Sequence, residues 1–119
     1  MIDIKYINVP NICFSLDDTR EGIYSEQRIK TGFDDTETWS LTDTISNFTI
    51  PRLKRFKEVS DCYPSNISFD EWNEILNKII LSFELISRNE GDRIWSSEES
   101  KQIDEGLDLF REWFMFLWW

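Results

Sequence analysis

The chain has 119 residues, 13 basic and 23 acidic side chains, a formal net charge of −10 and no histidine. A chain of this length buries roughly two-thirds of its unfolded surface, and 40% hydrophobic with 15% aromatic content lies far from the composition of disordered segments, so one folded domain over residues 1–119 is expected. Without histidine, the usual general base near neutral pH, the usual zinc ligand and the middle member of Ser/His/Asp and Cys/His nucleophilic systems are missing.

The first residues, Met1-Ile2-Asp3-Ile4-Lys5, lack the charged-then-apolar pattern of a secretory signal, and the chain is expected to stay in the compartment where it is made. Ile2/Ile4/Tyr6 and Ile12/Phe14/Leu16 alternate with period two. Pro10, Gly22 and Gly32 separate these runs and the Ile23-Tyr24 pair, so residues 1–37 are expected to form an irregular or short-β third packed on the helices. Cys13 and Cys62 have no second Cys or His nearby, which indicates neither a metal site nor a disulfide framework. Asn47-Phe48-Thr49 and Asn66-Ile67-Ser68 match the glycosylation pattern, which carries no weight in a chain that is not secreted.

From Trp39 the period changes. Leu41, Ile45, Phe48, Leu53 and Phe56 follow helical spacing, with Thr38 or Ser40 placed to cap the start, and predict a helix over about 39–59. Pro51 deletes a backbone donor inside it and predicts a kink or break between Phe48 and Arg52. Ser68-Phe69-Asp70-Glu71 has the form of a capping box. Trp72, Leu76, Ile79, Phe83 and Ile86, joined by Ile75, Ile80 and Leu85, then mark one stripe of a second helix over about 69–90, which Gly91 ends. Ser96-Ser97-Glu98-Glu99 opens a third over about 97–117, with Ile103, Leu107, Phe110, Phe114 and Leu117 on one face. Gly106 inside it costs about 1 kcal/mol relative to alanine and marks a close helix–helix approach. The short link makes the last two helices an antiparallel hairpin in which residue i faces about 187 − i. The fold class expected is therefore mostly α, a three-helix bundle. No apolar run approaches the ~20 residues needed to cross a bilayer, and no membrane partner is expected.

Several blocks carry a resemblance. Ile50-Pro51-Arg52-Leu53-Lys54-Arg55-Phe56-Lys57-Glu58, Tyr63-Pro64, Glu71-Trp72-Asn73-Glu74-Ile75-Leu76, Phe83-Glu84-Leu85 and Glu105-Gly106-Leu107-Asp108-Leu109-Phe110 are together similar to a family of small uncharacterised proteins of tailed bacteriophages, over about residues 39–119. The resemblance implies a phage or prophage origin and the cytoplasm of an infected bacterium. It implies no mechanism. Cys62-Tyr63-Pro64-Ser65, where the family suggests glycines, and the terminal Trp118-Trp119 pair depart from the pattern.

Charge is unevenly spread along the chain. Residues 1–50 hold four basic and nine acidic groups, residues 51–60 four and one, and residues 61–119 five and thirteen. Cations at the end of the first helix, Arg52, Lys54, Arg55 and Lys57, suit its macrodipole and pair with neighbouring acids. Nucleic acid carries closely spaced phosphates, and carboxylates at comparable density can occupy a cationic groove built for it. With a phage origin this points to an acidic inhibitor of a host defence factor, in an anti-CRISPR or similar role. Its partner would be a nuclease or nucleic-acid-binding defence complex, and it would bind no nucleic acid itself. The contact residues on this reading are Glu71, Glu74, Glu98, Glu99, Glu105 and Asp108, with Trp118 and Trp119 as a second surface. No catalytic residue, metal or cofactor is assigned.

Two alternatives remain open at this point. Glu71-x-x-Glu74 and Glu105-x-x-Asp108 resemble the carboxylate pairs with which all-α nucleotide pyrophosphohydrolases hold magnesium. In the expected hairpin register, however, Glu71 and Glu105 lie roughly 16 Å apart along the axis, and only a dimer would bring the pairs together. The other is a structural or oligomerisation module. Trp113, Phe114, Phe116, Trp118 and Trp119 spread around the helix and cannot share one stripe, so the N-terminal third, a partner or a second copy of the chain must cover part of them.

Overall fold

The structure, a computed structural model, describes residues 21–88 and 93–119. Five α-helices follow in order, α1 (Glu21–Thr31), α2 (Thr36–Trp39), α3 (Leu41–Val59), α4 (Phe69–Ile86) and α5 (Ser97–Trp113), and a 3₁₀ turn, Phe114–Phe116, continues the last. The fold is mostly α, with no strand among the described residues. The period-two runs at Ile2–Tyr6 and Ile12–Leu16, Cys13 and the Gly91 stop lie outside the described residues. By its internal contacts the chain divides into two compact units, Met1–Phe48 and Thr49–Trp119, with the boundary inside α3.

In the first unit the expectation of an irregular or extended segment is corrected from residue 21 onward. Residues 21–31 form α1, with Tyr24 and Arg28, one turn apart, both buried. Helical period is hard to see here because the other buried residue of the helix is Ser25, so only one of the three is apolar. Gly32, which reads in the sequence as a spacer, ends the helix. Its φ is 85° and its N–H reaches the Arg28 carbonyl, a left-handed closure that suits glycine. The chain that follows is tied down by polar groups. Asp34 is 1% exposed. It accepts from the Arg28 guanidinium at 2.5 Å and from the Thr36 N–H at 2.9 Å, and also from the Thr36 hydroxyl. Glu37 accepts from the Asp34 N–H at 2.6 Å. Tyr24 and Trp39 meet edge to face at 6.2 Å.

The predicted 39–59 helix divides at its start. Trp39 closes the four-residue α2, and Ser40, placed before α3, donates to Asp43 at 2.8 Å in the first turn. Helix α3 then runs unbroken through Pro51, so the expected break is absent. Pro51 is exposed and has no N–H to give the carbonyl one turn before it. Leu41, Ile45 and Phe48 are 57%, 49% and 47% exposed, whereas Leu53 is buried. Leu53 enters the core of the second unit.

That core lies between α3 and the hairpin of α4 and α5. Leu53, Ile79, Ile80 and Phe83 form its centre, with Ile50, Ile75, Leu109, Phe110 and Leu117 packed against it. Each fully buried side chain of this kind contributes about 1.5–3 kcal/mol. Ser68 accepts from the Glu71 N–H and starts α4, while the reciprocal capping box is complete at Ser96 and Glu99 on α5. Trp72 packs on Trp113 at 5.8 Å and Phe83 on Phe110 at 5.2 Å, both edge to face. A β-carbon placed on Gly106 would lie 2.4 Å from Ser82 Cβ, and Arg88 pairs with Glu99. The helices are antiparallel, and the 187 − i register holds to within about two residues at Trp72/Trp113, Ser82/Gly106 and Arg88/Glu99. Both helices end earlier than expected, at Ile86 and Trp113. At the end of α4 the Trp95 indole N–H satisfies the Leu85 carbonyl at 2.9 Å, one of the carbonyls that a helix end leaves without a partner.

Candidate functional site

The six carboxylates expected to make contacts all lie on α4 and α5, and the structure sorts them into two groups. Glu74 and Glu105, one from each helix, converge on the ammonium of Lys78, with Nζ 2.8 Å from Glu105 Oε1 and 3.6 Å from Glu74 Oε1. The hydrogen bond and charge of Glu105, supported by Glu74, raise the Lys78 pKa above its ordinary value. Glu99 pairs with the Arg88 guanidinium and also accepts from the Ser96 N–H at 3.1 Å. These interactions, the Arg88 hydrogen bond foremost, hold its carboxyl at about 2. Three of the six are thus committed within the hairpin. Glu71, Glu98 and Asp108 are exposed and make no ion pair among the described residues.

Helical spacing places Glu98 and Asp108 of that second group among other acids of α5, the Lys78-paired Glu105 included. On α5, Glu98, Glu105 and Glu112 recur every seven residues, with Asp108 and Asp104 beside them, and all five are exposed. Residues seven apart fall nearly on one line of a helix, so α5 carries an outward acidic ridge. Lys101 and Arg111 interrupt it. Its opposite face holds Gly106 and Phe110 against α4.

The sequence reading missed Lys78 and Arg88 as organisers, although both were within its reach. Lys78 stands four residues after Glu74, the favoured order for a helical pair, and the 187 − i rule places Arg88 opposite Glu99. The Glu74–Lys78–Glu105 bridge also bears on the magnesium alternative. The two carboxylate pairs do meet across the hairpin through one member each, and the cation between them is a lysine. A divalent ion bridging them would have to displace that ammonium. Among the described residues no group of three or more Asp, Glu, Cys or His is placed to hold a metal ion.

Two of the four cations of α3 pair with acids, as the sequence leads one to expect. Lys54 pairs with Glu84 at 2.8 Å and Arg55 with Glu58 at 3.1 Å, while Lys57 donates to Asn77 at 2.7 Å. Lys54, Lys57, Glu58, Asn77 and Ile80 line an open hollow of about 350 Å³.

Trp118 and Trp119 are 67% and 68% exposed. Trp118 and Phe116, with Cys62, Tyr63, Pro64 and Ser65, line a second hollow of about 200 Å³. Cys62 is a free, exposed thiol. Within the same unit the Trp72 indole nitrogen is buried and finds no acceptor among the described residues. No described helix is long and apolar enough to cross a membrane.

Fold and site together define a mostly α protein whose hairpin carries an acidic ridge and, at one end, an exposed aromatic surface. Compared with protein-family models, with curated proteins and with solved structures, the chain finds no match.

Proposed function

We propose that the chain is a phage-encoded, non-enzymatic acidic protein that inhibits a host defence factor by occupying a cationic groove built for nucleic acid, an anti-CRISPR role being one instance. The observation that carries this reading is the outward ridge of α5. After Lys78 and Arg88 have taken up three of the predicted contact carboxylates, Glu98, Asp108 and Glu112 remain exposed without an ion pair among the described residues, with Glu71 and Asp70 likewise on the first turn of α4. Carboxylates free of internal partners keep their field in solvent, which speeds encounter with a positive groove and makes the complex sensitive to salt.

The partner is a host nuclease or nucleic-acid-binding complex, and Glu98, Asp108 and Glu71 are the residues with charge to offer it. Glu99 and Glu105 serve chiefly to hold the hairpin that presents them, with Glu74 backing Lys78 within α4. The test is affinity capture from host lysate at rising salt, with the wild-type chain beside a Glu71→Lys/Glu98→Lys/Asp108→Lys variant. The expected result is a nuclease or nucleic-acid-binding protein that is lost as salt rises and absent from the variant's capture. Recovery of no such protein, or equal recovery by the variant, rejects the reading.

A further inference from the structure

Beyond the acidic ridge, and independently of it, we infer that the aromatic end of the hairpin is a self-complementary surface on which two copies of this chain form a closed dimer. Tyr63, Phe69, Met115, Phe116, Trp118 and Trp119 are between 45% and 78% exposed. They form one neighbourhood. Tyr63, Phe116 and Trp118 share the walls of the 200 Å³ hollow, Phe69 packs on Tyr63 at 5.7 Å, and Met115 and Trp119 adjoin the wall residues in the chain. At about 200 Å² per large side chain, their exposed fractions amount to roughly 700 Å². That exceeds the ~300–600 Å² of the largest apolar patch on a typical monomer and approaches the ~800 Å² that each partner contributes to a stable complex.

The shape of the patch selects the occupant. A two-fold interface presents the same surface twice, so the patch must complement itself, as one bearing both a projection and a recess does. Here the recess is the hollow, large enough for one aromatic ring given that a cavity of about 150 Å³ admits benzene. The projections are Met115 and Trp119, 78% and 68% exposed, which do not line it. A two-fold axis through the patch seats a projection of each copy in the recess of the other and covers the six side chains, none of them charged, at once.

Charge gives the dimer a signature opposite to that of the acidic contact. Two chains of net charge −10 repel one another, and salt that shortens the screening length from about 30 Å at 0.01 M to about 8 Å at 0.15 M weakens that repulsion. Self-association through apolar rings therefore tightens as salt rises, whereas a carboxylate-to-cation contact loosens.

The test is sedimentation velocity of the full chain over a wide concentration range, in low and in physiological salt. It is run on wild type, Trp119→Ala, Met115→Ala and Tyr63→Ala, with far-UV circular dichroism to verify that each variant keeps its helices. The expected result is a shift from 14.3 kDa to twice that mass, at lower protein concentration in higher salt. Trp119→Ala and Tyr63→Ala, one on each side of the projection–recess contact, each weaken the dimer at least tenfold. The charge-reversal variant of the acidic ridge dimerises no less tightly than wild type, which separates the two proposals. A chain monomeric throughout, a dimer indifferent to Trp119 and Tyr63, or an open ladder of higher oligomers overturns the inference.

Discussion

Gly106 is the position at which the hairpin is most sensitive to a single methyl group. The Cβ of an alanine there would lie 2.4 Å from Ser82 Cβ, 2.5 Å from the Lys78 carbonyl oxygen and 2.6 Å from Ser82 Oγ. Non-bonded carbon atoms rest at about 3.5–4.0 Å, so α5 must move away by more than an ångström at its contact with α4. Neither obstacle is the far end of a flexible side chain. The Lys78 oxygen belongs to the α4 backbone, and Ser82 is fully buried with its hydroxyl bonded to the Ile79 carbonyl at 2.6 Å. Overpacking of this kind costs about 1–3 kcal/mol, and alanine returns about 1 kcal/mol through its better helix propensity. Because both blocking atoms are fixed, the upper part of that range applies, and Gly106→Ala is expected to destabilise the fold by about 1–2 kcal/mol. For a chain of this size the melting temperature falls by roughly 4–8 °C.

Urea titration followed by tryptophan fluorescence and circular dichroism measures the effect, and a second substitution isolates its cause. Ser82→Gly removes the nearest carbon and the hydroxyl but leaves the Lys78 oxygen, so the double variant recovers part of the loss and the pair is non-additive. Gly22→Ala is the contrasting control. It lies near the start of α1 with nothing within 4 Å of the added carbon and is expected to stabilise by a few tenths of a kcal/mol to about 1 kcal/mol. If Gly106→Ala behaves like Gly22→Ala, the close packing of α5 on α4 is wrong.

Two further outcomes follow from the buried and paired charges. Asp34→Ala removes from the buried Arg28 the carboxylate that pairs with it at 2.5 Å. Removing one partner of a buried pair costs about 3–5 kcal/mol, read as loss of hydrogen-exchange protection through α1 and α2. Glu99 is held at about 2 by Arg88 and Ser96, below its value in the unfolded chain. Its contribution to stability is therefore complete above pH 4.5 and is lost as pH falls toward 2. Glu99→Gln should flatten the acid limb of a stability–pH curve in that interval, and an unchanged limb would remove the pair from the account of the hairpin.

Much of the second unit was legible because its signals are local and agree with one another. Ser68 and Ser96 announce helix starts, and the stripe from Trp72 to Phe83 announces the buried face of α4. Gly106, costly in a helix interior, announces the contact that requires it. The first unit was read less well. Helix α1 buries an arginine and a serine beside its one buried tyrosine, so its inward face carries no apolar period, and what holds the chain after it is a set of hydrogen bonds on Asp34 that residue types do not advertise. In α3 the spacing of Leu41, Ile45 and Phe48 correctly gave a helix but not its burial, since period reports the face and not what covers it. At the candidate site the acids were found by composition and their partners were not. Lys78 and Arg88 become visible only when the two helices are laid in register.

Registering those cations changes what the acidity can do. A polyanion substitute depends on charge that is not already spent on neighbours. The hairpin divides its acids between two tasks, with Glu99 and Glu105 pairing across it, Glu74 backing Lys78 within α4, and Glu98, Asp108 and Glu71 facing solvent without an ion pair among the described residues. The division gives each task a different sensitivity. Reversing Asp108, in the middle of α5, changes the field while leaving the helices joined, because surface substitutions away from specific contacts shift stability by no more than about 0.5 kcal/mol, whereas Glu71 and Glu98 stand in first turns, where reversal also opposes the helix dipole. Reversing Glu105 instead places a second cation beside Lys78 and strains the hairpin that carries the ridge. A charge-reversal series that lowers capture only where it also lowers stability would mean that the acids serve the fold alone. Separable effects, with capture lost at Asp108 and melting unchanged, are what an exposed array working on a partner requires.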